Sequence, residues 1–382
     1  MNEEKKTTRM FFVDNLRILL TILVLAHHTM ITYGASGGWY FRDPHTDELT
    51  SIILTISVSF NQAFFMGLFF FISAFFVPGS YDRKGSSQFL KDRFIRLGIP
   101  ILIYIVIVNP ILVYILFIEN EISFAGFYLS YFQSWEGLGR FLGGNGPLWF
   151  IVVLLIFSVF YCLWRQISKE HFKKEINEKP LLNKQILFII VIMAGLSFLV
   201  RIWIPQGWEI FNLQLGNFVQ YIMMLILGTM AYRRDWLQII PDSQGKLWLR
   251  IALVSFPIFV IIGILGGALE DVSVFQRGLT WQQLVYSTWD SLFCMGMSIG
   301  LITLFRKKFN DQGEFTKKVS GDMYTVYLIH APVLISVSLL FAGILIFALL
   351  KFVIVFPIVV LLCILISHYI LRKIPGAKRI LG

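Results

Sequence analysis

Apolar runs of about 20 residues recur along the chain, each ended by a short polar stretch, and each is long enough to cross the ~30 Å hydrocarbon core of a bilayer as a helix. The pattern predicts ten spans, near 11–33, 51–78, 97–118, 147–164, 185–204, 213–232, 248–268, 281–305, 322–342 and 347–371. The expected fold is therefore all-α, a polytopic membrane protein with its helices in one bundle and a single membrane-embedded domain over residues 1–382. The stretch "FAGILIFALLKF" gives a tight turn between the last two spans, and "FAGFYLSYF" at 124–132 reads as a short interfacial or re-entrant piece. No linker, low-complexity stretch or fixed-period repeat marks a second domain. The first run begins near Phe11, is too long for the apolar core of a signal peptide and lacks a small-residue cleavage site, so a cleaved leader is not expected.

Composition agrees with this class. Hydrophobic residues make up 57% of the chain and charged residues 15%, against about 45–50% and about 25% in soluble domains. Cys162, Cys294 and Cys363 all sit in apolar runs without the spacing of a metal site, so they read as small core residues and no metal is expected. Lysines and arginines concentrate at the N-terminus, in the even-numbered loops and in the tail ("YDRKGSSQFLKDRFIR", "RQISKEHFKKEINEKPLLNK", "RRDWLQIIPDSQGK", "RKKFNDQGEFTKK", "RKIPGAKRI"). The other loops carry Arg42, Arg140, Arg277 and Lys351 among Asp43, Asp47, Glu48, Glu119, Glu121, Glu136, Glu209, Glu270 and Asp271. The positive-inside rule then places both termini in the cytoplasm, and the expected location is the plasma membrane. This topology accounts for the net charge of +10 without nucleic-acid binding, since no soluble fold is there to present a basic patch.

Ionisable groups inside the spans change the picture further. "DNLRILLTILVLAHHTM" puts Asp14, Arg17, His27 and His28 in the first span. Arg17 and His28 are eleven residues apart, about 1,100° of helix with a rise of roughly 16 Å, so they lie on one face. Asp14 joins that stripe, whereas His27 points about a quarter-turn away. Snorkelling of the arginine and interhelical bonding of the histidine would explain each alone; the aligned pair points to function. Asp290 lies about ten residues into the eighth span, where a carboxylate needs a partner. Tyr327 and His330 share a face of the ninth span beside Pro332, where a core histidine at a kink is the alternative to a functional one. Asn61, Gln62, Ser73, Asn109, Gln220 and Tyr221 read as interhelical glue. Arg93 and Arg96, three apart where the third span begins, suit either anchoring or bidentate phosphate binding. Before the fourth span, "GGNGPLWF" holds Asn145 and Trp149, consistent with a mobile loop over a pocket or with an aromatic belt.

Taken in order, the Arg17-to-His28 spacing, "FFFISAFF", the arginines of "DRFIRLGIP", "GPLWF" and "VYLIHAPV" resemble the acyltransferase-3 family across almost the whole chain. Within that family the chain is similar to the glucan biosynthesis protein C group, which modifies glucans outside the cytoplasmic membrane. Two features depart from the family pattern: Ala74 follows Ser73 where glycine is usual, and no fused extracytoplasmic hydrolase-like domain is expected.

The resemblance implies an O-acyltransferase that moves an acyl group, acetyl by default and succinyl as the alternative, from cytoplasmic acyl-CoA to a hydroxyl of an outer carbohydrate or envelope glycan. Acyl-CoA is then a co-substrate, and no permanently bound cofactor is implied. Arg17, Arg93 and Arg96 would hold the donor's phosphates. His28 would act as general base, with Asp290 or Tyr327 orienting it and His330 donating to the oxyanion or serving as a second acid/base. Trp149 and Asn145 would face the acceptor. The rival classes are a proton-coupled transporter, which should show inverted repeats, and a non-catalytic envelope-assembly partner, which should tolerate apolar residues at Arg17 and His28. The expected partners are the lipid bilayer, the acyl donor and the glycan acceptor, and a homodimer stays open.

Overall fold

A computed structural model describes residues 9–117, 122–168 and 179–381. Glu119, Glu121 and residues 169–178 of the basic stretch 165–184 lie outside the described residues. Almost everything described is helix. Nine helical segments there are long and apolar enough to cross a membrane: Phe11–Thr32, Glu48–Phe117, Gly146–Ser168, Asn183–Trp203, Leu215–Arg233, Asp242–Leu265, Trp281–Lys308, Glu314–Ala342 and Ala348–Lys373. Each of the ten predicted spans overlaps one of these nine segments, running past its ends by at most a few residues, and Glu48–Phe117 holds both the second and the third.

A straight helix of the 70 residues in that segment would be about 105 Å long, more than three bilayer cores. The chain instead doubles back at Gly85, whose φ of 71° and ψ of 170° leave the helical region. No side chain meets that glycine, but L-residues avoid this conformation. The rings of Tyr81 and Phe89 face each other across the turn at 5.6 Å. The returning span is wound unevenly, with π-helical turns at Phe94–Gly98 and Tyr104–Val108, a form that is concentrated at functional sites. The stretch at 124–132 forms a short helix, Phe124–Tyr131, followed by Ser134–Gly143. The predicted tight turn is the connection from Ala342 to Ala348.

Most polar contacts between elements collect at the two ends of the bundle. At the basic end Asn15 donates to the carbonyls of Phe309 and Asp311, Arg306 pairs with Asp242 at 2.8 Å, Arg165 and Arg233 share Asp82, and Arg372 meets Asp322 at 3.0 Å. At the opposite end Tyr40 donates to Asn109 at 2.6 Å, Lys351 pairs with Asp43 at 2.6 Å, and the backbones of Gln206 and Gln276 bond. Loops that follow one another therefore fall at alternate ends, as a polytopic chain requires.

The core between the ends is held by close helix contacts. A Cβ at Gly296 would stand 2.8 Å from the Trp248 carbonyl, so the eighth span can approach the seventh only with glycine there. Trp281–Lys308 is the most buried of the candidate spans, whereas Asp242–Leu265 turns Leu253, Val254, Ile258 and Ile261 outward, as expected of a helix that faces lipid. The three cysteines are unpaired and buried.

Candidate active site

A basic cavity and a cluster of stacked rings lie on the stripe that joins Arg17 to His28. At the basic end a cavity of about 310 Å³ is lined by Arg17, Arg83, Lys84, Arg93 and Arg96, with Phe76, Phe89, Asp92 and Tyr232. All three arginines singled out in the sequence meet here. Their heads rest on aromatic faces, Arg17 at 4.8 Å from the Phe76 ring and Arg93 at 5.1 Å from that of Phe89, which holds a guanidinium in place while leaving its N–H groups free to bind. Asp14 lies 3.8 Å from Arg17 but is taken by Arg9 at 2.7 Å, and Asp92 is taken by Lys84 and Gln88. The chamber keeps a surplus of positive charge, suited to a phosphorylated ligand.

The second cluster surrounds His28. Its imidazole stacks on Trp39, with ring centres 4.0 Å apart, and on His330 of the ninth span at 5.2 Å. Trp39 and His330 lie 6.2 Å apart, nearly parallel. Each of the three rings carries a buried polar atom without a hydrogen-bond partner: His28 Nδ1, Trp39 Nε1 and His330 Nε2. Unmet atoms occur elsewhere among the described residues, Trp289 Nε1 and Tyr33 Oη included, but here three belong to one stack of rings. His28 keeps partial exposure, while His330 has none.

The other nitrogen of His330 fixes its chemistry. Nδ1 lies 2.6 Å from the Tyr327 carbonyl, and a carbonyl only accepts, so Nδ1 carries the proton and Nε2 presents a lone pair. In the neutral ring Nε2 is thus an acceptor, which is the form a second acid/base would take; only the protonated ring could donate from there. Tyr327 orients His330 and not His28, through its carbonyl, while its hydroxyl donates to Pro147. Gly146, at φ +47°, leads into that proline, and a Cβ there would collide with the hydroxyls of Tyr40 and Tyr104.

His27 is placed as the helix geometry predicts, off the stripe. It is 8% exposed, packs on Phe65 and lies 3.4 Å from the Asn61 amide, which also bonds the Leu23 carbonyl. Asn61 is thus glue, as expected.

Asp290 is not beside His28. Its carboxylate accepts from Arg201 at 2.9 Å and from Gln220 at 3.3 Å, and Arg201 also donates to Gly216, Asn217 and Ser287. This network sits among the fifth, sixth and eighth spans, and Asp290 has no contact with either imidazole among those described. Asn145 is 2% exposed, its amide donates to the carbonyls of Leu142 and Phe211, and its oxygen accepts from Asn212. Those bonds clasp the hairpin Glu209–Ile210/Leu213–Gln214, whose turn holds Phe211 and Asn212 at positive φ. Trp149 is half-buried against Phe70 and Tyr221.

Sequence reasoning missed Arg201, Trp39 and the buried Lys351–Asp43 pair. Arg201 had a signal, an arginine inside the apolar run "FLVRIW". Trp39 had none beyond its glycine-flanked place after the first span, because its approach to His28 depends on how the loop folds back. Within that loop burial raises the pKa of the Tyr40 hydroxyl, which keeps it a neutral donor to Asn109.

The fold and these sites define a multi-pass membrane enzyme, and the chain belongs to the acyltransferase-3 family, whose acyltransferase domain matches residues 10–368. It is similar to the glucans biosynthesis protein C of Escherichia coli (strain K12), with 22% identity over 349 residues covering 85% of this chain and 82% of that protein. The protein of the same name from Escherichia coli O81 (strain ED1a) is 24% identical over 270 residues, 65% of each chain. No solved structure matches.

Proposed function

We propose that this acyltransferase moves an acyl group from cytoplasmic acyl-CoA, bound at the basic chamber, to a hydroxyl of a glycan that enters from the opposite end. The observation that carries the reading is the alignment of two unlike sites on one helix face: a cationic cavity holding Arg17, Arg93 and Arg96, and an imidazole pair with unmet polar atoms about three turns away. A CoA thioester has phosphates for the first site and a long, thin arm that can carry its acyl end toward the second. The positive-inside rule puts the basic end in the cytoplasm, with both termini. The glycan acceptor is favoured by the names of the relatives and by the aromatic rings stacked around His28. Acetyl is the preferred acyl group and succinyl the alternative.

In this mechanism the acceptor oxygen attacks the thioester carbonyl carbon while His28 removes the hydroxyl proton. The carbonyl electron pair moves onto oxygen. Collapse of the tetrahedral species restores the carbonyl and breaks the C–S bond, and the imidazolium returns its proton to the thiolate, giving ester and free CoA thiol. His330, with its Nε2 lone pair fixed, supplies a second basic nitrogen, able to accept from a neighbouring hydroxyl of the acceptor while His28 takes the proton of the attacking one.

Acyl transfer in proteoliposomes tests the donor half. Replacing Arg93 and Arg96 together with glutamine should raise the KM for acyl-CoA at least tenfold while protein level persists. An unchanged KM would refute donor binding at the basic chamber.

A further inference from the structure

We infer that Trp39 is a catalytic residue whose indole N–H binds the acyl carbonyl oxygen and stabilises the oxyanion that forms there; this rests on reading the His28 cluster as the site of acyl transfer. The argument is one of hydrogen-bond polarity. The three orphaned polar atoms of the cluster belong to stacked rings. His330 Nε2 can only accept, because Nδ1 donates to Tyr327. An indole nitrogen can only donate. Two neutral imidazoles can take up a proton, but oxyanion formation needs a donor aimed into the site, and among these three groups only Trp39 is always one.

A purely structural tryptophan fits the surroundings less well. Buried indoles normally find a partner for the N–H, and an unmet donor is destabilising. Trp39 is instead held in place with its donor unmet. Its loop is fixed at one side by the Ser51 hydroxyl on the Gly34 carbonyl and by the Ser36 amide on the Thr55 hydroxyl. On the other side Asp43 bonds the Thr32 carbonyl through its backbone amide and is paired with Lys351, both side chains being fully buried. A donor preorganised in this way need not rearrange as charge develops, which is the condition under which a single hydrogen bond contributes most to rate.

Within the transfer step, the electron pair leaving the carbonyl π bond comes to rest on the oxygen that Trp39 Nε1–H faces. It returns when the C–S bond breaks. Trp39 neither gains nor loses a proton, so the proton balance of the histidines is unchanged.

Two measurements in the full chain test this. Trp39→Phe keeps an aromatic ring on His28 and removes the N–H. It should lower kcat by about 10²–10³-fold, while the KM for acyl-CoA rises by no more than about 2–10-fold, the share of the bond made to the ground-state carbonyl. Binding supplies the readout that a packing role would not move. A dethia ketone analogue of acyl-CoA, which keeps the carbonyl, should bind Trp39→Phe about 2–10-fold more weakly than wild type; S-ethyl-CoA, which has none, should bind both equally. Should Trp39→Phe not fold, 3-benzothienylalanine at position 39 preserves the bicyclic shape without the donor, and the same outcomes apply. Equal loss of both analogues, or wild-type kcat in either variant, overturns the role of Trp39. Full activity in Trp39→Phe beside a dead His28→Ala would overturn it while leaving the acyl-transfer reading intact, whereas acyl transfer that survives loss of His28 and His330 would remove the reading itself.

Discussion

Two clusters of polar side chains are buried in the membrane half of this protein, and they are built in opposite ways. Around Arg201 and Asp290 every charged atom is met: all three guanidinium nitrogens donate, and both carboxylate oxygens accept. Around His28, His330 and Trp39 each ring carries a polar atom that is left open. A closed network fixes spans against one another and has nothing left for a ligand. An open one is unfavourable for stability and is retained where something else completes it. Burial and ionisability alone, which the two clusters share, do not separate structure from function; satisfaction does.

That contrast can be broken most severely at Asp290. Asp290→Ala should leave Arg201 buried and unpaired, costing about 3–5 kcal/mol and appearing as a large drop in apparent Tm in detergent and in protein level. Arg201→Met with Asp290→Leu should recover most of that loss, because an apolar pair of similar volume removes both charges. Turnover per folded molecule should stay near wild type in the double variant. A folded double variant that had lost turnover would place the closed network in the chemistry and end the distinction.

Lys351 and Asp43 offer an intermediate case, a closed pair beside the open cluster. Lys351→Met should destabilise by about 3 kcal/mol, at the low end for a broken buried pair, because Asp43 also accepts from the His45 amide. It should lower kcat as well, since the loop carrying Trp39 loses an anchor; Asp43→Asn added to Lys351→Met should restore thermal stability. A loss of stability without any change in kcat would show that the pair does not position Trp39.

The smallest effect belongs to Asn61. Its amide bonds the Leu23 carbonyl, so Asn61→Ala should cost about 1 kcal/mol and leave turnover unchanged. Thermal unfolding beside a transfer assay checks both, and a tenfold loss of kcat would put His27 and its neighbour inside the site.

How much of this was legible in the sequence follows the range of each interaction. The spans could be read because bilayer thickness dictates the length of an apolar run, and the Arg17–His28 stripe because helix periodicity fixes directions over eleven residues. The same periodicity placed His27 correctly off the stripe. Asp290's need for a partner was legible from its depth, but not the partner, since Arg201 lies 89 residues away and only packing brings the two spans together. Lys351 and Asp43, 308 residues apart, were read as loop charges because neither interrupts a hydrophobic pattern deeply. Asn145 sits in a motif that suggested an acceptor loop, and its amide proved to be committed to a hairpin whose backbone only the fold reveals. The role of His330 turned on which nitrogen meets the Tyr327 carbonyl, a matter of ring orientation that spacing cannot fix.

The central claim is that His28 takes the acceptor's proton, and the adjacent histidine is its control. Acyl transfer from acyl-CoA to a glycan acceptor, measured in proteoliposomes at equal protein level, should fall by about 10²–10⁴-fold in His28→Ala. In His27→Ala, where packing on Phe65, an edge contact with the His28 ring at 5.5 Å and one long bond to Asn61 are lost, it should stay within a few-fold of wild type. Equal activity in the two variants would contradict the account and mean that the alignment of Arg17 with His28 has no part in the chemistry.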